Sequence, residues 1–181
     1  MNLRSYVAIA SATLMFFCLG LVRIHAATLA PVVTEGIVNG SVDAVWKAFT
    51  TKPVIEQWMV AKTEIELKVG GLWRTSYNKD ADLNGDAAIH QSILAFDPGR
   101  MLAFRTIKTP KNFPFPAIVN TWTVVYFESA GAGKTRVTAT MMGFEDDEQG
   151  RGMREFFERG NKSEFDALIK FFETGRPQVV K

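Results

Sequence analysis

Two periodicities alternate along the chain from residue 31 onward. "PVVTEGIVNG" alternates apolar and polar positions, which predicts a first strand closed by an Asn-Gly turn. "SVDAVWKAFT" then shifts to helical spacing, with Ser41 as N-cap and Asp43 in the first turn, and Pro53 suits the start of a second short helix in "KPVIEQWM". Strand periodicity returns in "TEIELKV", and Gly70-Gly71 turns the chain into "LWRTSY" as the partner of a hairpin. Further strands are predicted in "AIHQSILAF", "MLAFRTI", "NTWTVVYFE" and "TRVTATMMGF", separated by "DPGR", "KTPKNFPFPA" and "SAGAGK". The spacing finally predicts a long helix from Arg151 to Thr174, with Phe157, Phe165, Leu168 and Phe172 along one face and Gly175 and Pro177 as its stop.

Short links between successive strands imply an antiparallel meander. One strand, two short helices, about six more strands and a long amphipathic helix have a ready packing solution, a curved sheet wrapped around the terminal helix. The stretch "SVDAVWKAFTTKPVIEQWM" resembles the opening of the SRPBCC (START-like) superfamily, in the branch related to activators of the ninety-kilodalton heat-shock chaperone's ATPase. "VGGLWRTSY", "ILAFDPGRMLAF", "TVVYFESAGAGKTRVTATMMGF" and "FFERGNKSEFDALIKFF" continue the likeness in order, over about Val33 to Glu173. The resemblance implies an α+β helix-grip fold like that of the birch-pollen allergens. It has six or seven antiparallel strands around a C-terminal helix and two short helices after the first strand.

It also implies a cavity between sheet and helix for an apolar small molecule or lipid. Strand parity offers Trp73, Tyr77, Phe104, Trp122, Tyr126 and Met141 as its wall, facing Phe157 and Phe165 of the helix. Ordinary core packing is the competing account of every one of them. Gly160 sits on the helix's apolar face, where it costs about 1 kcal/mol relative to alanine; room for a ligand would explain it, as would a kink.

Composition adds little until the N-terminus is set apart. The 181 residues are 47% hydrophobic, enough for one sizeable core. Arg4, the apolar run from Tyr6 to Val22 and the small residues Ala26 and Ala27 form a secretory signal pattern. We therefore expect a signal peptide over residues 1–26, an exported (periplasmic or secreted) single domain over 27–181, and an uncleaved membrane anchor as the alternative. A cleaved chain would have no stable membrane insertion. Of the 21 Lys and Arg, cleavage removes Arg4 and Arg23, which leaves 19 against 19 Asp and Glu. Without net basic charge, nucleic acid is not expected as a partner. Cys18 would depart with the leader, and with it any disulfide, thiolate nucleophile or cysteine metal site.

The remaining chemistry is sparse. His90, the one histidine beyond the leader, could pair with Tyr77 for general acid–base work, as in a cyclase- or hydrolase-like enzyme. A lone histidine is more often structural, and zinc needs several ligands. "GAGKT" lacks phosphate-loop spacing, and the acids of "EDDE", Glu145 to Glu148, suit the positive end of the following helix. In "DADLNGD", Asp80, Asp82 and Asn84 imitate half of a calcium loop. That loop would need helices on both sides and a carboxylate where Gln91 stands, so a hairpin turn at Asn84-Gly85 with positive backbone angles is the better account. The sequence predicts no cofactor. Its leading function is non-catalytic binding of an apolar small molecule; interaction with a chaperone, or an enzyme using His90, are the alternatives. A domain of this size can stand alone, while an open sheet edge would equally support a dimer.

Overall fold

A computed structural model describes residues 27–178. The leader predicted over residues 1–26 lies outside the described residues. Seven strands form one antiparallel sheet in the order β1-β7-β6-β5-β4-β3-β2. In chain order these are β1 (Val32–Val38), β2 (Lys62–Ile65), β3 (Leu72–Ser76), β4 (Ile89–Asp97), β5 (Met101–Lys108), β6 (Trp122–Ser129) and β7 (Thr135–Met142). Between β1 and β2 lie α1 (Val42–Thr50) and α2 (Lys52–Trp58), and the chain ends in α3 (Glu148–Thr174). This is the helix-grip arrangement the sequence predicts.

Local chemistry sets most boundaries. The Ser41 hydroxyl accepts from the Ala44 amide at 3.3 Å to start α1. Pro98 and Gly99, the latter at φ 73°, form the tight turn between β4 and β5, closed by the Arg100 amide donating to the Asp97 carbonyl at 2.9 Å. α3 begins earlier than its apolar periodicity suggests, because the Asp147 carboxylate accepts from the Gly150 amide at 2.6 Å. Asp146 pairs with Arg151 beside it. The run "EDDE" is thus a capping device. Two register shifts between β4 and β5, at His90/Gln91 and Ile93/Ala95, bend the sheet toward the helix.

Two predicted turns differ from those observed. β2 ends at Ile65, and the link to β3 is a wider loop in which the Glu66 amide donates to the Leu72 carbonyl. Asn84-Gly85 is not a two-residue hairpin turn and neither residue has positive φ. The connection runs from Tyr77 to Ala88, and its backbone is held by side chains instead. Asp82 accepts from the Asn84 amide at 2.9 Å, and Arg74 donates to the Asn84 side-chain oxygen at 2.7 Å.

The main core lies where α1, α2 and the C-terminal part of α3 meet the concave face. Phe49 packs against Trp58 and Phe127 at centroid distances of 5.0 and 5.2 Å, and Phe165 and Leu168 close over them. The Trp58 indole donates to the Ala48 carbonyl at 2.8 Å, so its burial leaves no polar atom unmet. α3 lies close on β1 at Gly36, where a Cβ would stand 3.1 Å from Ile169. A second cluster, with Val32, Ile118, Met141, Phe144 and Met153, fills the far end. Between the two clusters the interior is open.

Candidate functional site

That opening is a cavity of about 280 Å³ between the concave face and α3. Alternation decides which strand residues reach it: Trp73 and Thr75 from β3, Ile89 and Gln91 from β4, Phe104 and Thr106 from β5, Thr123 and Val125 from β6, and Ala139 and Met141 from β7. α3 supplies Phe156, Phe157, Gly160, Asn161, Glu164 and Phe165, and the segment after β5 contributes Pro110 and Phe113. Most of this surface is apolar.

The walls are held from behind. The Trp73 indole donates to the Thr63 hydroxyl at 3.0 Å, which itself donates to the Arg74 carbonyl at 3.0 Å. Phe104 meets Trp73 edge-on at 5.1 Å and 77°. At the other side Phe113, Phe115, Phe156 and Phe157 form a continuous aromatic cluster, with centroid distances between 5.2 and 6.4 Å. The segment carrying Phe113 and Phe115 leads into a short 3₁₀ turn, Pro116–Asn120, absent from the predicted elements.

The polar groups among the lining residues include threonine hydroxyls from β3, β5 and β6, the Asn161 and Gln91 amides and the Tyr77–Glu164 pair. The Tyr77 hydroxyl donates to Glu164 Oε1 at 2.9 Å, joining the end of β3 to α3 across the mouth of the cavity. Burial holds the Glu164 carboxyl above the usual carboxylate range, while the bond from Tyr77 pulls the other way. The negative charge of Glu164, then burial, then that same bond push the Tyr77 phenol up. Tyr77 is 48% exposed, so the pair stands at the rim, where solvent screens part of this effect. Gln91 sits deeper, between its cross-strand neighbours Trp73 and Thr106. Its side-chain oxygen is buried and has no hydrogen-bond partner among the described residues.

Six of the wall residues expected from strand parity and from the helix's apolar face surround the cavity: Trp73, Tyr77, Phe104, Met141, Phe157 and Phe165, with Gly160 beside them. Trp122 and Tyr126 do not. Both are exposed on the convex face, because the inward parity of β6 belongs to Thr123, Val125 and Phe127. The bulky aromatic residues of that strand suggested the wrong face. His90 also lies outside the cavity, opposite Arg74 in the sheet register, with Nε2 2.7 Å from the Leu83 carbonyl. It therefore cannot join Tyr77 in acid–base work on a molecule in the cavity. Asp80 and Asp82 shape the β3–β4 loop, and Asn84 is engaged by Arg74. Among the described residues no group of three His, Cys, Asp or Glu side chains could hold a metal.

Glu164, Gln91, Phe113 and Phe156 were missed by sequence reasoning. For Glu164 a signal existed: it falls at the helical spacing of Phe157, Asn161 and Leu168, so an acid stands on the apolar stripe. Gln91 likewise interrupts the inward parity of Ile89 and Ile93. Phe113 lies in a segment without periodicity.

Comparison with known proteins fits this architecture. The family described as Activator of Hsp90 ATPase homolog 1-like protein matches residues 39–173. The chain belongs to this family. No curated protein matches it. Among solved structures, protein MLL2253 from Mesorhizobium loti is 21% identical with a TM-score of 0.62, covering 79% of this chain and 96% of that one. DynU16, a protein of the dynemicin biosynthetic locus, is 18% identical with a TM-score of 0.64; 83% of this chain matches 50% of that one, so the present chain spans about half its length. The Aha1 dimer from Colwellia psychrerythraea is 13% identical with a TM-score of 0.62, covering 81% and 98%. At these identities the likeness is one of fold.

Proposed function

We propose that this member of the family binds a small apolar molecule between sheet and α3, without covalent chemistry, after export. The observation that carries the reading is the cavity itself, about 280 Å³ with a mostly apolar surface and aromatic walls pinned from behind. Ligand sites have this composition, and their usual volumes start at about 300 Å³. An engineered apolar cavity of about 150 Å³ takes up benzene, so a molecule of one or two rings is the right scale. Export rests on the leader pattern, and the Ala27 carbonyl, next after the expected cleavage point, accepts from the Asp146 amide at 2.8 Å. Native mass spectrometry of protein purified from its host tests both parts. A chain starting at Ala27 with a bound small molecule supports them; a full-length chain without ligand, whose melting temperature no apolar compound moves, would refute them.

A second reading, an interaction protein, has its own observation. Trp122 and Tyr126 are both exposed on the outward parity of β6, aromatic side chains of the kind that partners cover. Stimulation of a heat-shock chaperone's ATPase by the wild-type protein, lost in a Trp122→Ser, Tyr126→Ser variant, would favour it. No stimulation removes it.

A further inference from the structure

Glu164 is the one ionisable acid on the cavity wall apart from the phenol of Tyr77, and no Lys, Arg or His side chain lines the cavity among the described residues. It has no ion pair among them either. Its only side-chain partner there is Tyr77, whose proton is already directed at Oε1. What the pair turns toward a bound molecule is therefore acceptor capacity: the second carboxylate oxygen and the phenolic lone pairs. Deeper in, the Gln91 side-chain oxygen is buried without a donor among the described residues, and the terminal amide, with one donor end and one acceptor end, can meet either kind of group, so the choice of head group rests on Glu164.

We propose that the site selects an amine: a small apolar molecule whose ammonium group sits against Glu164 and whose body lies between Trp73, Phe104 and the α3 wall. This rests on the reading of the cavity as a binding site and adds the chemical class of its occupant. The alternatives fit the wall less well. A carboxylic acid would place a second negative charge beside Glu164 with no cation to separate them. An alcohol would satisfy one acceptor but would leave the carboxylate without a counter-charge. Burial acts in the same direction, since it disfavours an unpaired Glu164 carboxylate and a bound ammonium relieves that penalty.

Naphthylmethylamine, naphthalenemethanol and naphthoic acid share one two-ring body and differ at the head. Their dissociation constants for the wild-type protein, measured by calorimetry at neutral pH, test the assignment. The amine is expected to bind at least about tenfold tighter than either of the others, the scale of one charge-assisted hydrogen bond. In Glu164→Gln, which keeps an acceptor for Tyr77, the preference should shrink to within about threefold. Equal binding of all three by the wild-type protein, or tightest binding of the acid, overturns the amine assignment while leaving a binding cavity. No binding of any up to about 1 mM overturns the cavity reading as well. The wild-type comparison decides even if the variant does not fold.

Discussion

Gly160 and Gly150 lie on the same helix, and replacing each by alanine should change stability in opposite directions. At Gly160 a Cβ would meet nothing within 4 Å, and the position is exposed in the interior of α3. The substitution then acts through backbone entropy alone, and alanine is favoured over glycine by about 1 kcal/mol at such a site. For a domain of this size that corresponds to a rise of about 2–4 °C in melting temperature. At Gly150 the added Cβ would overlap the Glu145 carbonyl oxygen, which is backbone and cannot step aside. The helix start would have to shift, at a loss of about 1–3 kcal/mol. Thermal melts of the two variants followed by circular dichroism provide the check. Destabilisation by Gly160→Ala would show that the space above residue 160 is not open and that the cavity mouth is misplaced. Gly160→Leu extends the test: it keeps the helical gain and puts a side chain at the mouth, so it should hold stability while abolishing ligand uptake.

Other outcomes follow from single contacts. Glu164→Gln should melt higher than wild type at about pH 8 and match it near pH 3, below the ordinary Glu value of about 4.3. The sign comes from the raised folded-state value: the stability it contributes is full below the unfolded value and is lost as pH rises through the folded one. Asp147→Ala removes the acceptor for the Gly150 amide and should lower stability by about 1 kcal/mol in urea titration. Millimolar calcium should leave the melting temperature unchanged within about 1 °C, because Arg74 already holds the Asn84 oxygen; a clear rise would reinstate the calcium loop.

The elements were legible where a local signal and the hydrophobic period agreed. Ser41 capped a helix that its pattern also required, and Pro98-Gly99 could form little else than a turn between two strands. Legibility failed where one side chain outweighed local chemistry. Asn84-Gly85 looked like a hairpin turn, yet the local contact of Asp82 with the Asn84 amide and two contacts distant in sequence, Arg74 to the Asn84 oxygen and Lys108 to the Gly85 carbonyl at 2.9 Å, hold a longer loop. In β6, Trp122 and Tyr126 suggested an inward face by bulk alone, although Val125 and Phe127 fit the same alternation on the opposite parity. Two registers of one strand were open, and the choice followed size instead of continuity with the neighbouring strands.

The site was legible only in its apolar half. Aromatic residues on the correct parity mark a wall, but they mark a filled core equally well, and only the gap between the two clusters distinguishes the two. The discriminating residues are those that a packed core would reject. An acid at Glu164 on the helix stripe and an amide at Gln91 on the inward strand face both weaken a solid interior, since each must find a partner or incur a desolvation cost. Glu164 finds part of one in Tyr77, and Gln91 leaves its oxygen unmet. Polar residues retained at inward positions around an open volume are more informative than the aromatic ones. They place polar groups in an interior that the fold alone would have left to hydrocarbon.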